Sequence, residues 1–138
     1  MKKVFITGAT SGIGLALAKK YSTEGWLVGI CGRDLNKLPE NFVDENPFIK
    51  AYEVDVTNRD QLQDAVRTFS DGSLELMIAN AGRSVGKKTP RPNFQIACDL
   101  LDVNVKGVIY SFEVAFELME PRGRGHLAAV ASVAGMVG

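Results

Sequence analysis

At 138 residues the chain is long enough to bury one core and reads as a single domain over 1–138. Its 16 Lys and Arg offset its 16 Asp and Glu, so no net field draws it to nucleic acid or to an anionic membrane. No apolar run reaches membrane-span length and Met1-Lys2-Lys3 leads straight into a strand, so a cytoplasmic protein without a signal peptide is expected. Cys31 and Cys98 form no Cys-x-x-Cys pair and read as two buried, reduced thiols, and no residue cluster reads as a metal site. There is no internal repeat, low-complexity tract or linker.

The chain opens on the apolar run Val4-Phe5-Ile6, which meets the turn Thr7-Gly8-Ala9-Thr10-Ser11-Gly12-Ile13-Gly14 and continues into an amphipathic helix through Tyr21. Gly8 turns the chain off the strand, Gly12 removes a Cβ where a phosphate comes close, and Gly14 lets the helix pack tightly. The unpaired N–H groups and dipole of the first helical turn then face the loop and favour an anion. A glycine corner alone is weak evidence; a strand before it and a helix after it give the confirming context. The Thr-Gly-x-x-x-Gly-x-Gly spacing resembles the cofactor loop of the short-chain dehydrogenase/reductase family. That resemblance implies a Rossmann-like, doubly wound parallel α/β sheet with strands in the order 3-2-1-4-5. It also implies an NAD(P)-dependent oxidoreductase whose dinucleotide lies on Gly8, Thr10, Ser11, Gly12, Ile13 and Gly14.

A helix stop at Gly25 leads into a second strand, Trp26–Cys31, which completes a right-handed parallel unit. The end of that strand, about twenty residues past the glycine loop, is where such folds read the adenosine ribose. A carboxylate there would bind a free 2′-OH and repel a 2′-phosphate. Here Gly32 stands at the strand end and Arg33 follows with a charged fork suited to phosphate, which favours NADP(H). Asp34 keeps two alternatives open: it pairs with a solvated Arg33, or it serves as the ribose ligand of an NAD-dependent protein.

Leu35–Asn46 is polar and contains Pro39, so any helix there is short. Ile49–Val54 reads as a third strand, and Thr57 or Asn58 can cap a helix running through Phe69. Asp55 either serves the turn or, by the resemblance, lies with Val56 against the adenine ring. Leu74–Ala79 is a fourth strand ending in Asn80-Ala81-Gly82, which the family places beside the cofactor; where the family often shows a first asparagine, this chain has Ala79. Residues 84–93 hold Lys87, Lys88 and Arg91 and read as a solvated substrate-side loop, with an anionic substrate as the alternative.

The longest helical pattern runs from Phe94 to Met119, with apolar residues such as Leu100, Val108, Phe112 and Ala115 at spacings of three and four. Pro121 and Gly123 stop it, and its wide apolar band suits a homo-oligomer contact. Asn104 lies mid-helix, where asparagine is unfavourable; its family counterpart kinks the helix and holds a water of the proton relay. Residues 125–132 form a fifth strand with the single histidine, His126, at its start and in a structural role. Ser132 at its end resembles the family's catalytic serine, and Val133-Ala134-Gly135 continues the likeness.

The family's mechanism needs Asn, Ser, Tyr and Lys, with Tyr as acid or base, Lys lowering its pKa and Ser orienting the carbonyl. Asn104 and Ser132 supply two of the four. No tyrosine follows Tyr110 and no lysine follows Lys106, and none of Tyr21, Tyr52 and Tyr110 has a lysine four residues on. The resemblance therefore implies the N-terminal portion of an oxidoreductase acting on a small carbonyl or alcohol, C-terminally truncated and nearly inert by itself. Its fifth strand is expected to be an open edge that invites association. The alternative is a non-catalytic dinucleotide-binding or regulatory module.

Overall fold

Val4 and Ile6 project from one face of the first strand and Phe5 from the other, so the strand needs cover on both sides. The computed structural model describes residues 1–83 and 93–131. It places β1 (Lys3–Thr7), β2 (Leu27–Gly32), β3 (Ile49–Glu53), β4 (Leu76–Ala79) and β5 (His126–Ala129) in one sheet. All neighbouring strands pair in parallel, in the expected order β3-β2-β1-β4-β5. The helices are α1 (Gly12–Thr23), α2 (Phe42–Glu45), α3 (Arg59–Ser70), α4 (Phe94–Leu101) and α5 (Gly107–Met119). The short α2 and a single 3-10 turn at Leu35–Lys37 answer to the polar stretch around Pro39.

Two cores result, one on each face. Val4, Ile6, Val28 and Ile30 pack with Ala18 of α1 and Phe42 of α2. Phe5, Cys31 and Met77 pack with Leu62, Val66 and Phe69 of α3 and with Val114 and Ala115 of α5. Phe5 meets Phe69 edge-on, with ring centroids 5.6 Å apart, an arrangement that contributes about 0.5–1.5 kcal/mol beyond area burial. Gly29 makes the room: a Cβ there would lie 2.6 Å from Phe5 Cδ2 and 2.8 Å from Phe69 Cγ. Of the two expected caps for α3, Asn58 is the one used, its Oδ1 accepting from the Gln61 N–H at 3.1 Å.

The pattern over 94–119 does not form one uninterrupted α-helix. A π turn at Asp102–Lys106 separates α4 from α5, marked by the Gly107 N–H bonding the Asp102 carbonyl five residues back. Two contacts accompany the break. Gly107 packs against the β3 end, where a Cβ would come within 2.9 Å of Val56 Cγ2, and Asn104 turns its side chain onto the backbone of Arg83. The expected stop is observed: Glu120–Arg122 form a 3-10 turn, and Gly123 takes φ +65°.

Glu75 joins three strands at the opposite edge of the sheet. Its Oε2 accepts the Lys3 N–H at 2.6 Å, its Oε1 accepts Arg122 Nη1 at 3.1 Å, and its carbonyl accepts the His126 N–H at 3.0 Å. Desolvation raises the carboxyl pKa, but the bonds from Lys3 and Arg122 and the Arg122 charge outweigh it and hold the group below the ordinary glutamate value. A depressed carboxyl stabilises the fold above its unfolded pKa and loses that contribution as pH falls through the folded one. Glu75→Gln is therefore expected to lower the unfolding free energy at neutral pH by about 1–2 kcal/mol. The deficit should shrink as pH drops below about 4. Urea denaturation of both proteins across that range checks it, and a deficit that does not change with pH would refute the ionic assignment.

Candidate functional site

The carboxyl ends of β1 to β4 open into one cleft. Its construction begins at Thr7, whose buried hydroxyl accepts the N–H groups of Asn80 and Ala81, both at 3.0 Å. Asn80 Nδ2 in turn donates to the Gly8 carbonyl at 3.0 Å. Gly8 has φ +63°, and a Cβ on it would stand 2.6 Å from Ala81 Cα, so no other residue fits this corner unstrained. Gly14 faces Asn80 Nδ2 and the Gly8 carbonyl just as closely. The two loops thus lie directly on each other.

Ser11 caps α1 in an extended conformation, and its hydroxyl makes no capping bond. The Leu15 N–H bonds the Ser11 carbonyl at 3.3 Å, which leaves the N–H groups of residues 12–14 without intrahelical acceptors. Gly12 has φ +58° and nothing within 4 Å of where a Cβ would stand, and no acidic residue occupies the first turn. The start of α1 is an open site for an anion.

Nine expected residues line the cleft: Gly8, Thr10, Ser11, Arg33, Asp55, Val56, Asn80, Ala81 and Gly82. Gly12, Ile13 and Gly14 lie outside the lining, and Ile13 is 62% exposed. Sequence reasoning missed Lys37, Val54, Arg83 and Val103, which also line it. Lys37 sits on the 3-10 turn after β2, and the polar spacing around Pro39 gave no signal for where that turn would aim. Asp34 Oδ1 accepts the Asn36 N–H at 3.0 Å and caps that turn. Among the described residues Arg33 forms no ion pair, so the alternative of an Arg33–Asp34 pair is not made. Asp55 serves its turn, one oxygen accepting the Thr57 N–H at 2.9 Å and the Thr57 hydroxyl at 2.8 Å, while also bordering the cleft.

Asn104 stands beside the cleft without lining it. Its Oδ1 accepts the Arg83 N–H at 2.8 Å and its Nδ2 donates to the Arg83 carbonyl at 2.9 Å, fastening the segment after Gly82 to the π turn. None of Tyr21, Tyr52 and Tyr110 lines the cleft. Ser132, Val133-Ala134-Gly135 and the loop cations Lys87, Lys88 and Arg91 lie outside the described residues.

The two thiols are not alike, which corrects the expectation that both are buried. Cys31 lies fully buried beneath the glycine loop, and burial pushes its pKa up to about 12; Cys98 is exposed on α4. A thiol reagent at neutral pH is expected to modify only Cys98 in the native protein and both cysteines after denaturation. Two rapid equivalents from the folded chain would contradict this placement.

A parallel sheet wound on both faces, with a glycine-turned helix start at its carboxyl edge, defines the Rossmann-like class of α/β proteins. The family model described as short chain dehydrogenase matches residues 2–138, and the chain belongs to that family. An uncharacterized oxidoreductase of Staphylococcus epidermidis is 31% identical over 136 residues, covering 97% of this chain and 59% of the relative. One from Staphylococcus aureus N315 is 33% identical over 140 residues with the same coverage. The chain thus spans about three-fifths of the length of these relatives. A short-chain dehydrogenase from Streptomyces avermitilis superposes with TM-score 0.87 at 25% identity, covering 99% of this chain and 50% of its own. ElxO with NADP bound shares the fold at TM-score 0.88 and 24% identity, covering 99% and 58%.

Proposed function

We propose that residues 1–138 form the dinucleotide-binding unit of an NADP(H)-dependent short-chain oxidoreductase that interconverts a small carbonyl compound and its alcohol. The observation that carries this reading is the cleft itself. Ser11, the N-cap of the anion-competent helix start, and the cations Arg33 and Lys37 border one cavity, which supports a site for the two phosphate groups of a phosphorylated dinucleotide. The fit does not depend on the motif alone, since the space ahead of Gly12 is open and its backbone already left-handed.

In this reading Gly8, Thr10, Ser11, Gly12, Ile13 and Gly14 hold the diphosphate. Arg33 and Lys37 hold the 2′-phosphate, Asp55 and Val56 border the adenine, and Asn80, Ala81 and Gly82 flank the nicotinamide half. The bound nicotinamide would supply or accept a hydride. Asn104 acts as a positioning residue: with both ends of its amide engaged by Arg83, a relay water falls to the backbone of the π turn. Ser132 orients the substrate carbonyl. The two cations Arg33 and Lys37 beside Asp34, one of whose oxygens is committed to its own turn, support NADP(H) over NAD. A non-catalytic nucleotide-binding module is the second reading, favoured by the absence of any tyrosine from the cleft lining among the described residues.

Calorimetric titration with NADPH and NADH tests the assignment. Arg33→Ala and Lys37→Ala are each expected to weaken NADPH about tenfold, the loss of one charge-assisted bond, and to leave NADH unchanged. Gly12→Asp should retain the fold at a cost of about 1 kcal/mol for its left-handed backbone. It should abolish binding of both nucleotides by setting a carboxylate at the anion site. Undiminished binding in Gly12→Asp would refute the site.

We further propose a homo-oligomer through the 94–119 helix. Phe94, Leu101, Val105, Ile109 and Phe116 are exposed along it, a run of large apolar side chains unusual for a surface facing water. Ile109→Asp is expected to halve, or more, the mass measured by light scattering; a wild-type chain that is already monomeric would refute this contact.

A further inference from the structure

The strand-end position that would read a ribose 2′-OH is not merely occupied by glycine; its side-chain space is already filled. A Cβ built on Gly32 falls closer to Thr10 Cγ2 than any real pair of carbons sits, and lies 3.3 Å from Thr10 Oγ1 and 3.4 Å from Thr10 Cβ. Thr10 comes from the glycine loop and Gly32 from the end of β2, twenty-two positions apart in sequence, and both border the cleft. We propose that Thr10 sets the cofactor preference of this chain by occupying the space in which a carboxylate on residue 32 would have to stand. The proposal rests on the cleft holding a dinucleotide, as above.

Threonine suits this task because it is branched at Cβ. In two of its three staggered rotamers a heavy atom faces Gly32, so turning χ1 mostly exchanges one obstruction for another. The next carboxylate along, Asp34, lines the cleft with one oxygen, Oδ1, engaged by the Asn36 N–H in the cap of the 3-10 turn. A carboxylate is therefore excluded sterically at residue 32, while the one at residue 34 is partly committed to its own turn. Arg33 and Lys37 line that end beside Asp34, two cations against one carboxylate. Replacing Thr10 by alanine would leave only the 3.4 Å approach to Cβ, an ordinary contact.

Four proteins test this: wild type, Thr10→Ala, Gly32→Asp and the double variant, each taken through thermal unfolding and calorimetric titration with NADPH and NADH. Gly32→Asp alone is expected to lower the melting temperature by about 4 °C or more and to gain no affinity for NADH. Adding Thr10→Ala should restore most of that temperature and tighten NADH about tenfold relative to Gly32→Asp, a coupling that independent sites would not show. Additive shifts in melting temperature, or an equal gain of NADH affinity in Gly32→Asp and in the double variant, would overturn the proposal. If Gly32→Asp does not fold, a double variant that is equally unfolded overturns it, and one that folds and binds NADH supports it. A wild type that binds neither nucleotide defeats the reading of the cleft, whereas binding with no coupling between the two positions defeats the role of Thr10 alone.

Discussion

The hydroxyl of Thr7 holds the site together. Two successive N–H groups, of Asn80 and Ala81, end on one oxygen at 3.0 Å, and the amide of Asn80 reaches back to the Gly8 carbonyl. A valine would match the shape of Thr7 and leave both donors without an acceptor, at about 1–3 kcal/mol for each donor left buried. Because β1 and β4 are joined at this point, the loops that leave them are forced into contact. Gly8, Ala81 and Gly14 are small because the backbones lie within contact distance there. Order in the cleft follows from that tie, since Gly14 in the first turn of α1 lies against Asn80 and the Gly8 carbonyl.

From there the layout is a matter of which strand end carries which charge. β2 delivers Arg33 and, one turn on, Lys37; β3 delivers Asp55 and Val56; β4 delivers Asn80 to Arg83. Both carboxylates on the cleft wall have an oxygen engaged by nearby donors, Asp34 by Asn36 and Asp55 by Thr57. Among the described residues Arg33 and Lys37 form no ion pair, so the wall offers more to an anion than its formal charges suggest. Beside the cleft, Asn104 fastens the segment after Gly82 to the π turn.

Much of this was legible in the residues. Short apolar runs marked the five strands, and the glycine corner with its flanks identified β1 and α1, because these signals are local. Three features were not. The π turn keeps apolar spacings of three and four on both sides, so the pattern over 94–119 reads as one helix whether or not a residue is inserted. Cys98 looked buried because cysteine usually is, but α4 presents it to solvent. Lys37 and the Thr10–Gly32 approach depend on how two loops far apart in sequence meet, which no single stretch encodes.

The π turn carries a consequence for how the outer helices address the rest of the molecule. Each residue advances a helix by about 100°, so one residue's worth of slack at 102–106 resets the azimuth of everything after it. Upstream, Phe94 and Leu101 look outward; downstream, Val114, Ala115 and Met119 look into the sheet. Deleting a single position there would leave a smoother rod with its inner and outer residues out of phase. The irregularity is what lets one rod serve two differently oriented surfaces, so its length matters more than the identity of most residues along it.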